Sequence, residues 1–266
     1  MEPVLVSLES GVLRITLNRP EKLNAFNPAV HKGLADAMTR AESEAAVRCL
    51  LITGAGRGFC AGQDLQERDM RAGERDTKAA AIDLGGGLET WYNPLVKRMR
   101  ALPKPIVCAV NGVAAGAGAN FALACDIVLA ARSASFIQAF VKIGLVPDCG
   151  GSYFLPRLAG TQRAMALAMT GDRLSAEDAE RWGLVWKCVD DAQLKAESEK
   201  LARQLASGPA RSLGLIKNAI YSSANNTLAA QLDLERDSQR EIGKGNDYRE
   251  GVAAFLEKRK PNFTGQ

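Results

Sequence analysis

Apolar and polar positions alternate in two short runs near the N-terminus, Val4 to Ser7 and Val12 to Leu17. This predicts half-buried strands joined through Glu9-Ser10-Gly11, with glycine where a hairpin turn needs it. The period then lengthens: Val30, Leu34 and Met38 fall on one face of a helix predicted from about Pro28 to Glu44. A continuous apolar run, Cys49 to Thr53, reads as a buried strand, followed by a loop from Gly54 to Gly62. The charged stretch Asp69 to Thr77 reads as a mobile surface loop ahead of a long helix ending near Leu102. Next come a strand (Pro105 to Val110), a small-residue turn, a helix to Ala124, a strand (Asp126 to Ala131) and a short strand (Ser135 to Phe140). Strands alternating with helices predict an α/β core with largely parallel pairing.

Beyond Gly150 strand-like runs nearly vanish, apart from Leu184 to Val189. Ser175 followed three positions later by Asp178 has capping-box spacing. Pro209 to Ala224, Thr227 to Glu241 and Asp247 to Lys258 read as successive helices, and no internal repeat of useful period is visible.

The chemistry is suggested by two turns. After the strand ending at Val110, the run Asn111-Gly112-Val113-Ala114-Ala115-Gly116-Ala117-Gly118-Ala119-Asn120 has side chains too small to cover the backbone, and helical spacing follows at once. Unpaired N–H groups at such a strand-to-helix turn favour a negatively charged oxygen. Phe59-Cys60-Ala61-Gly62-Gln63-Asp64 is expected to close the strand Leu50 to Thr53 in the same way. Brought together, the two turns would form an oxyanion hole.

Composition narrows the field. With 266 residues, 47% of them hydrophobic, the chain can bury a substantial core. No apolar run approaches the roughly 20 residues of a membrane span, and Met1-Glu2-Pro3 does not open a signal peptide, so the expected location is the cytoplasm. The six cysteines lack CxxC spacing and histidine companions, which predicts buried reduced thiols and no metal site. Cys149, in a glycine-flanked loop, is the one candidate nucleophile among them. The single histidine, His31, rules out mechanisms built on several imidazoles and reads as an ordinary, partly exposed helix residue. A net charge of +4 does not call for nucleic acid. Of the basic clusters, Lys97-Arg98-Met99-Arg100 reads as a solvated helix end, and Lys258-Arg259-Lys260 could meet phosphate.

Four segments, Asn18 to Phe26, Phe59 to Asp64, Asn111 to Asp126 and Gly144 to Gly151, in this order and spacing, resemble the crotonase (enoyl-CoA hydratase/isomerase) superfamily. The resemblance runs on to Phe255-Leu256-Glu257-Lys258-Arg259-Lys260 and so covers essentially the whole chain. It implies an α/β fold, a crotonase-type spiral of ββα units over residues 1–200, with an all-helical C-terminal oligomerisation region over 201–266. It also implies homotrimers, commonly paired into hexamers, an acyl-CoA substrate, and no cofactor beyond the coenzyme A of that substrate. By the same resemblance the N–H groups of Gln63 and Ala117 form the oxyanion hole. Ala61, Gly62, Asp64, Leu65, Gln66, Gly116, Asn120 and Phe140 would contact substrate, and Lys22, Ala25, Phe255 and Lys258 the coenzyme A. On the residues alone, Asp64 and Asp126 read as structural hydrogen-bonders.

The departures from the family pattern carry more information. Hydratases of the family keep glutamates where this chain has Asn120 and Phe140; an amide is no general base and a phenyl ring has no proton to give. The carboxylate left is Asp148, at a position where certain double-bond isomerases of the family keep a catalytic acid. Asp148 could instead be a simple N-cap of the following helix; apolar neighbours such as Phe140 and Val146 would partly desolvate it and favour proton shuttling. Within the superfamily, Val141 to Gly151, Trp91 to Val96 and Leu232 to Asp237 are most similar to isomerases acting on ring-epoxide phenylacetyl-CoA in aerobic phenylacetate degradation. That implies ring expansion to an oxepin-CoA and a 3-enoyl to 2-enoyl shift. A fatty-acid 3-enoyl-CoA isomerase, or a hydratase using Asp148, would share these residues. A dinucleotide site at Gly54-Ala55-Gly56-Arg57-Gly58-Phe59, which lacks the third glycine, and RNA binding through the basic clusters are the alternatives from other classes.

Overall fold

The computed structural model describes residues 2–66 and 83–265, so the charged stretch Asp69 to Thr77 lies outside the described residues. Strands β1 (Val4–Glu9) and β2 (Val12–Leu17) form an antiparallel hairpin in which Glu9 faces Val12 across a two-residue turn. Ser10 (φ 50°) and Gly11 (φ 77°) both take left-handed backbone, the combination that matches the twist of paired strands. Helix α1 (Pro28–Ser43) starts where Asn27 accepts a hydrogen bond from the Val30 N–H at 2.9 Å and Pro28 occupies the first turn.

Two sheets follow. The larger has the order β1-β2-β3-β5-β7-β10, with β3 (Cys49–Gly54), β5 (Ile106–Val110), β7 (Ile127–Ala131) and β10 (Lys187–Val189) all parallel to their neighbours. Every residue of β5 is buried, as expected of a parallel strand covered on both faces. The smaller sheet has the order β4-β6-β8-β9, from β4 (Gly58–Cys60), β6 (Val113–Ala115), β8 (Ser135–Ile137) and β9 (Arg173–Ser175), with only β8 and β9 antiparallel.

The chain therefore lays one strand in each sheet in turn: β3 then β4, β5 then β6, β7 then β8. This corrects the expectation that each small-residue turn directly closes a strand of the main sheet. A second, three-residue strand intervenes each time, too short to leave a periodic signal. Ser135 to Phe140 likewise shortens to β8, and Phe140 falls in the 3-10 turn Ala139–Ile143. Gly58 continues into strand β4 rather than a helix, which removes the dinucleotide fingerprint.

Before β5 the helical segment comprises α2 (Leu84–Gly87), a π-helical turn (Leu88–Tyr92) closed by the Asn93 N–H donating to the Leu88 carbonyl, and α3 (Asn93–Ala101). Helix α4 (Ala117–Leu123) follows β6, and α5 (Gly151–Ala159), α6 (Thr161–Thr170) and α7 (Ala176–Arg181) follow β8. Ser175 caps α7 by accepting from the Asp178 N–H at 3.1 Å, the half of a capping box its spacing predicts, and the Asp178 carboxylate accepts from the Ser175 hydroxyl at 2.9 Å where a full box would use the Ser175 N–H. Helices α8 (Asp191–Ala206), α9 (Ala210–Ser223), α10 (Leu228–Ile242) and α11 (Asn246–Leu256) complete the chain. Buried Lys217 of α9 ties this region to the core through Asp126 at 2.9 Å and the Met99 carbonyl at 2.9 Å. Among the described residues no helix is long and apolar enough to cross a membrane.

Candidate active site

The turn after β4 and the start of α4 touch. A methyl group on Gly118 would lie 2.3 Å from the Cys60 carbonyl oxygen, and one on Gly62 (φ +91°) would lie 2.9 Å from the Ala115 carbonyl oxygen and 3.6 Å from the Ala117 nitrogen. Glycine at both positions is thus a steric condition for the two turns to meet. Phe26 bridges to Gln63: its N–H donates to Gly62 and its carbonyl accepts from the Asp64 N–H, at 2.7 and 2.9 Å. Ala117 opens α4 behind Gly116 with no side-chain cap. Among the described residues neither the Gln63 nor the Ala117 N–H has an acceptor, so two main-chain donors are available near the contact.

A cavity of about 460 Å³ is lined by Gln63, by Asp148 with its neighbours Leu145 to Gly150, by Leu84, Leu88, Trp91 and Tyr92, and by His31. Asp148 is half-buried. Helix α5 begins behind Gly150 with no side-chain cap, so Asp148 does not serve as its N-cap. Val146 is 80% exposed and does not desolvate Asp148, contrary to expectation. Asp83 is a second carboxylate on the cavity lining, which the sequence reading overlooked; it is exposed and caps α2 by accepting from the Gly86 N–H.

Asn120 is completely buried and engaged at both ends. Its Nδ2 donates to the Asp148 carbonyl at 2.8 Å, and its Oδ1 accepts from Gln138 Nε2 at 2.9 Å. It stands beneath the site as a clamp on the Asp148 loop and is not among the residues that line the cavity. Phe140 is buried, its ring 3.7 Å from where a side chain on Gly116 would begin. The carboxylate of Asp64 is buried and pairs with Arg19 at 3.0 Å, the structural role its residue type suggested. Leu65 and Gln66 are exposed, and Gln66 accepts from Lys22 Nζ at 2.7 Å; Ala25 is buried, and the Ala61 N–H donates to the Leu23 carbonyl at 2.9 Å. Phe255 lies elsewhere, in a separate apolar hollow with Pro209, Tyr248 and Phe263, and is 82% exposed; Lys258 follows it beyond α11.

Two further expectations are corrected. His31 is only 4% exposed, with its ring stacked between Phe26 (5.2 Å) and Trp91 (5.5 Å) and edge-on to Tyr92 (4.5 Å). Burial pushes its pKa down to about 4, so the ring is neutral at ordinary pH. The signal was present in its spacing: His31 stands three residues before Leu34 and seven before Met38, on the apolar face of α1. Cys149 is buried, and desolvation, with smaller help from Asp148, raises its thiol pKa well above the usual value, which is incompatible with a ready nucleophile. Tyr92, also not foreseen as a site residue, donates its hydroxyl to Gln63 Oε1 at 2.7 Å, while Gln63 Nε2 donates to the Phe26 carbonyl at 3.1 Å. The Gln63 side chain is thereby pinned.

Residues 7–266 match the family model described as Enoyl-CoA hydratase/isomerase. The chain belongs to the enoyl-CoA hydratase/isomerase family. A family relative from Escherichia coli (strain K12), 1,2-epoxyphenylacetyl-CoA isomerase, is 57% identical over 100% of both chains. A Rhodobacter capsulatus protein named "Probable enoyl-CoA hydratase" is 45% identical over 97% of this chain and 96% of its own. The crystal structure of enoyl-CoA hydratase from Bacillus anthracis superposes with a TM-score of 0.91 at 32% identity, covering 99% of this chain and 100% of that one. The two-sheet arrangement described above is the crotonase fold of this family.

Proposed function

We propose that this chain is an acyl-CoA isomerase of phenylacetate catabolism that converts 1,2-epoxyphenylacetyl-CoA into its ring-expanded oxepin isomer and shifts 3-enoyl-CoA double bonds to the 2-position. The observation that carries the reading is the makeup of the cavity: its one half-buried carboxylate, Asp148, is held from beneath by Asn120, and neither Asn120 nor Phe140 offers a second acid to activate water. Full-length identity of 57% to an epoxyphenylacetyl-CoA isomerase supports the choice of substrate.

In this mechanism the carbon–carbon bond shared by the epoxide and the six-membered ring opens by electrocyclic rearrangement to the seven-membered oxepin, with no group gained or lost, and Asp148 removes a proton from the carbon next to the thioester. The charge moves to the thioester oxygen, where the N–H groups of Gln63 and Ala117 receive it; one such donor contributes ~3 kcal/mol to lowering the barrier. Asp148 then returns the proton further along the conjugated system. The carboxylate ends as it began, so the step needs no cofactor. The main chain from Ala61 to Gln66 flanks the donor pair and would run along the pantetheine arm. Lys22, exposed beside Gln66, Phe255 in the last turn of α11 and Lys258 just beyond it are the candidates for the nucleotide end. The exposed apolar residues Ile216, Ile220, Leu228 and Leu232 on α9 and α10 support association of copies through this face, and the family resemblance points to a homotrimer, paired into a hexamer.

Incubation with 1,2-epoxyphenylacetyl-CoA in ¹⁸O-labelled water tests the reading. The expected product has the mass of the substrate and carries no label. A product heavier by one water, or no turnover of the ring epoxide, would contradict it.

A further inference from the structure

His31 is built into the site in a way the proton-transfer steps do not use. Its ring lines the same cavity as Asp148 and Gln63, and neither Nδ1 nor Nε2 has a hydrogen-bond partner. Stacking between Phe26 and Trp91 explains a flat ring at this position but not a polar one, since phenylalanine would stack there without leaving two nitrogens unsatisfied in a dry setting. Of the other polar rings in contact, Tyr92 has its hydroxyl committed to Gln63 and Trp91 is exposed, so its indole N–H is open to water. His31 stands in the cavity lining with both nitrogens buried and unmatched, so a ligand atom that reaches the ring would satisfy a group the protein leaves without a partner.

We propose that His31 is a substrate-contacting specificity residue: its imidazole N–H donates a hydrogen bond to the ring oxygen of an aromatic epoxide acyl group. This rests on the isomerase reading above and adds to it the residue that recognises the oxygen. An epoxide oxygen carries no proton and can only accept; Asp148 as a carboxylate can only accept as well, so the partner must be a donor. Ser152 and Asn93 also line the cavity, but both are exposed to solvent, whereas His31 gains a partner it otherwise lacks. Burial keeps the imidazole neutral, which suits the task. A neutral N–H orients the oxygen, whereas an imidazolium could protonate it, break a carbon–oxygen bond and divert the substrate to a phenol.

Two measurements test this. The first compares kcat/KM on ring-epoxide phenylacetyl-CoA and on a linear 3-enoyl-CoA for wild type, His31→Phe and His31→Gln. In His31→Phe the epoxide-to-enoyl ratio should fall by about tenfold or more, and His31→Gln, which restores an N–H, should recover part of it. An equal change on both substrates, or none, would overturn the proposal. The second uses ¹⁵N-histidine labelling, which gives signals from this ring alone because the chain has one histidine. The imidazole signals should move on binding 2-methoxyphenylacetyl-CoA, whose ether oxygen sits beside the chain-bearing ring carbon, and move much less with phenylacetyl-CoA. Identical signals in the two complexes would overturn the assignment even if the enzyme failed to turn over the epoxide, an outcome that would count separately against the isomerase reading.

Discussion

The side-chain amide of Asn120 donates to the main-chain carbonyl of Asp148 across 2.8 Å, which ties the first turn of α4 to the loop that carries Asp148. Where a hydratase would place a reacting carboxylate, this chain places a strut. Asn120→Ala should leave the Asp148 carbonyl and the Gln138 amide without their partner, a cost of about 1–3 kcal/mol. The melting temperature should fall accordingly, and kcat should fall more than the affinity for acyl-CoA, because the acid loses its placement. Differential scanning calorimetry and steady-state kinetics read both.

Gly62→Ala should damage the donor pair without touching the acid. Its methyl group would sit 2.9 Å from the Ala115 carbonyl oxygen, on a backbone with φ +91° that side chains rarely adopt. The two turns must separate, and kcat/KM should drop about 10²–10³-fold, the loss expected when one oxyanion donor is removed. Retained activity with unchanged stability would count against the proposed position of the hole.

His31 should make stability depend on acid. Its folded pKa, about 4, lies below the ordinary 6.5, so between these values the unfolded chain binds the extra proton. Its stabilising contribution is complete above about pH 6.5 and is lost as pH falls toward 4, with a limit of about 3 kcal/mol. Urea unfolding at pH 7.5, 6 and 5 should show this slope for wild type, and the slope should flatten in His31→Phe.

The main sheet and the C-terminal helices were legible because their signals are long. β2 and β3 carry six residues each, and the apolar faces of α1 and α10 repeat over several turns. The second sheet was not, since β4, β6, β8 and β9 have three residues each and their pairing is decided by contacts distant in sequence. The spiral also hid from a search for repeats because β3, β5 and β7 begin at residues 49, 106 and 127, at unequal intervals. In the site, small-residue turns announced the main-chain donors, because an uncovered backbone can be read from side-chain size. The burial of His31, the Tyr92–Gln63 pairing and the double engagement of Asn120 depend on what α2, the π-helical turn and β8 bring alongside, which no local pattern encodes.

Proton exchange tests the central claim most directly. In D₂O the wild-type enzyme should exchange deuterium into the carbon next to the thioester of a 3-enoyl-CoA while it shifts the double bond. Asp148→Asn should bind the same acyl-CoA with similar affinity and keep its fold, yet lose exchange and isomerisation together by about 10²–10⁴-fold. Exchange at the wild-type rate in Asp148→Asn would contradict the account, since the proton would then be moving through another group.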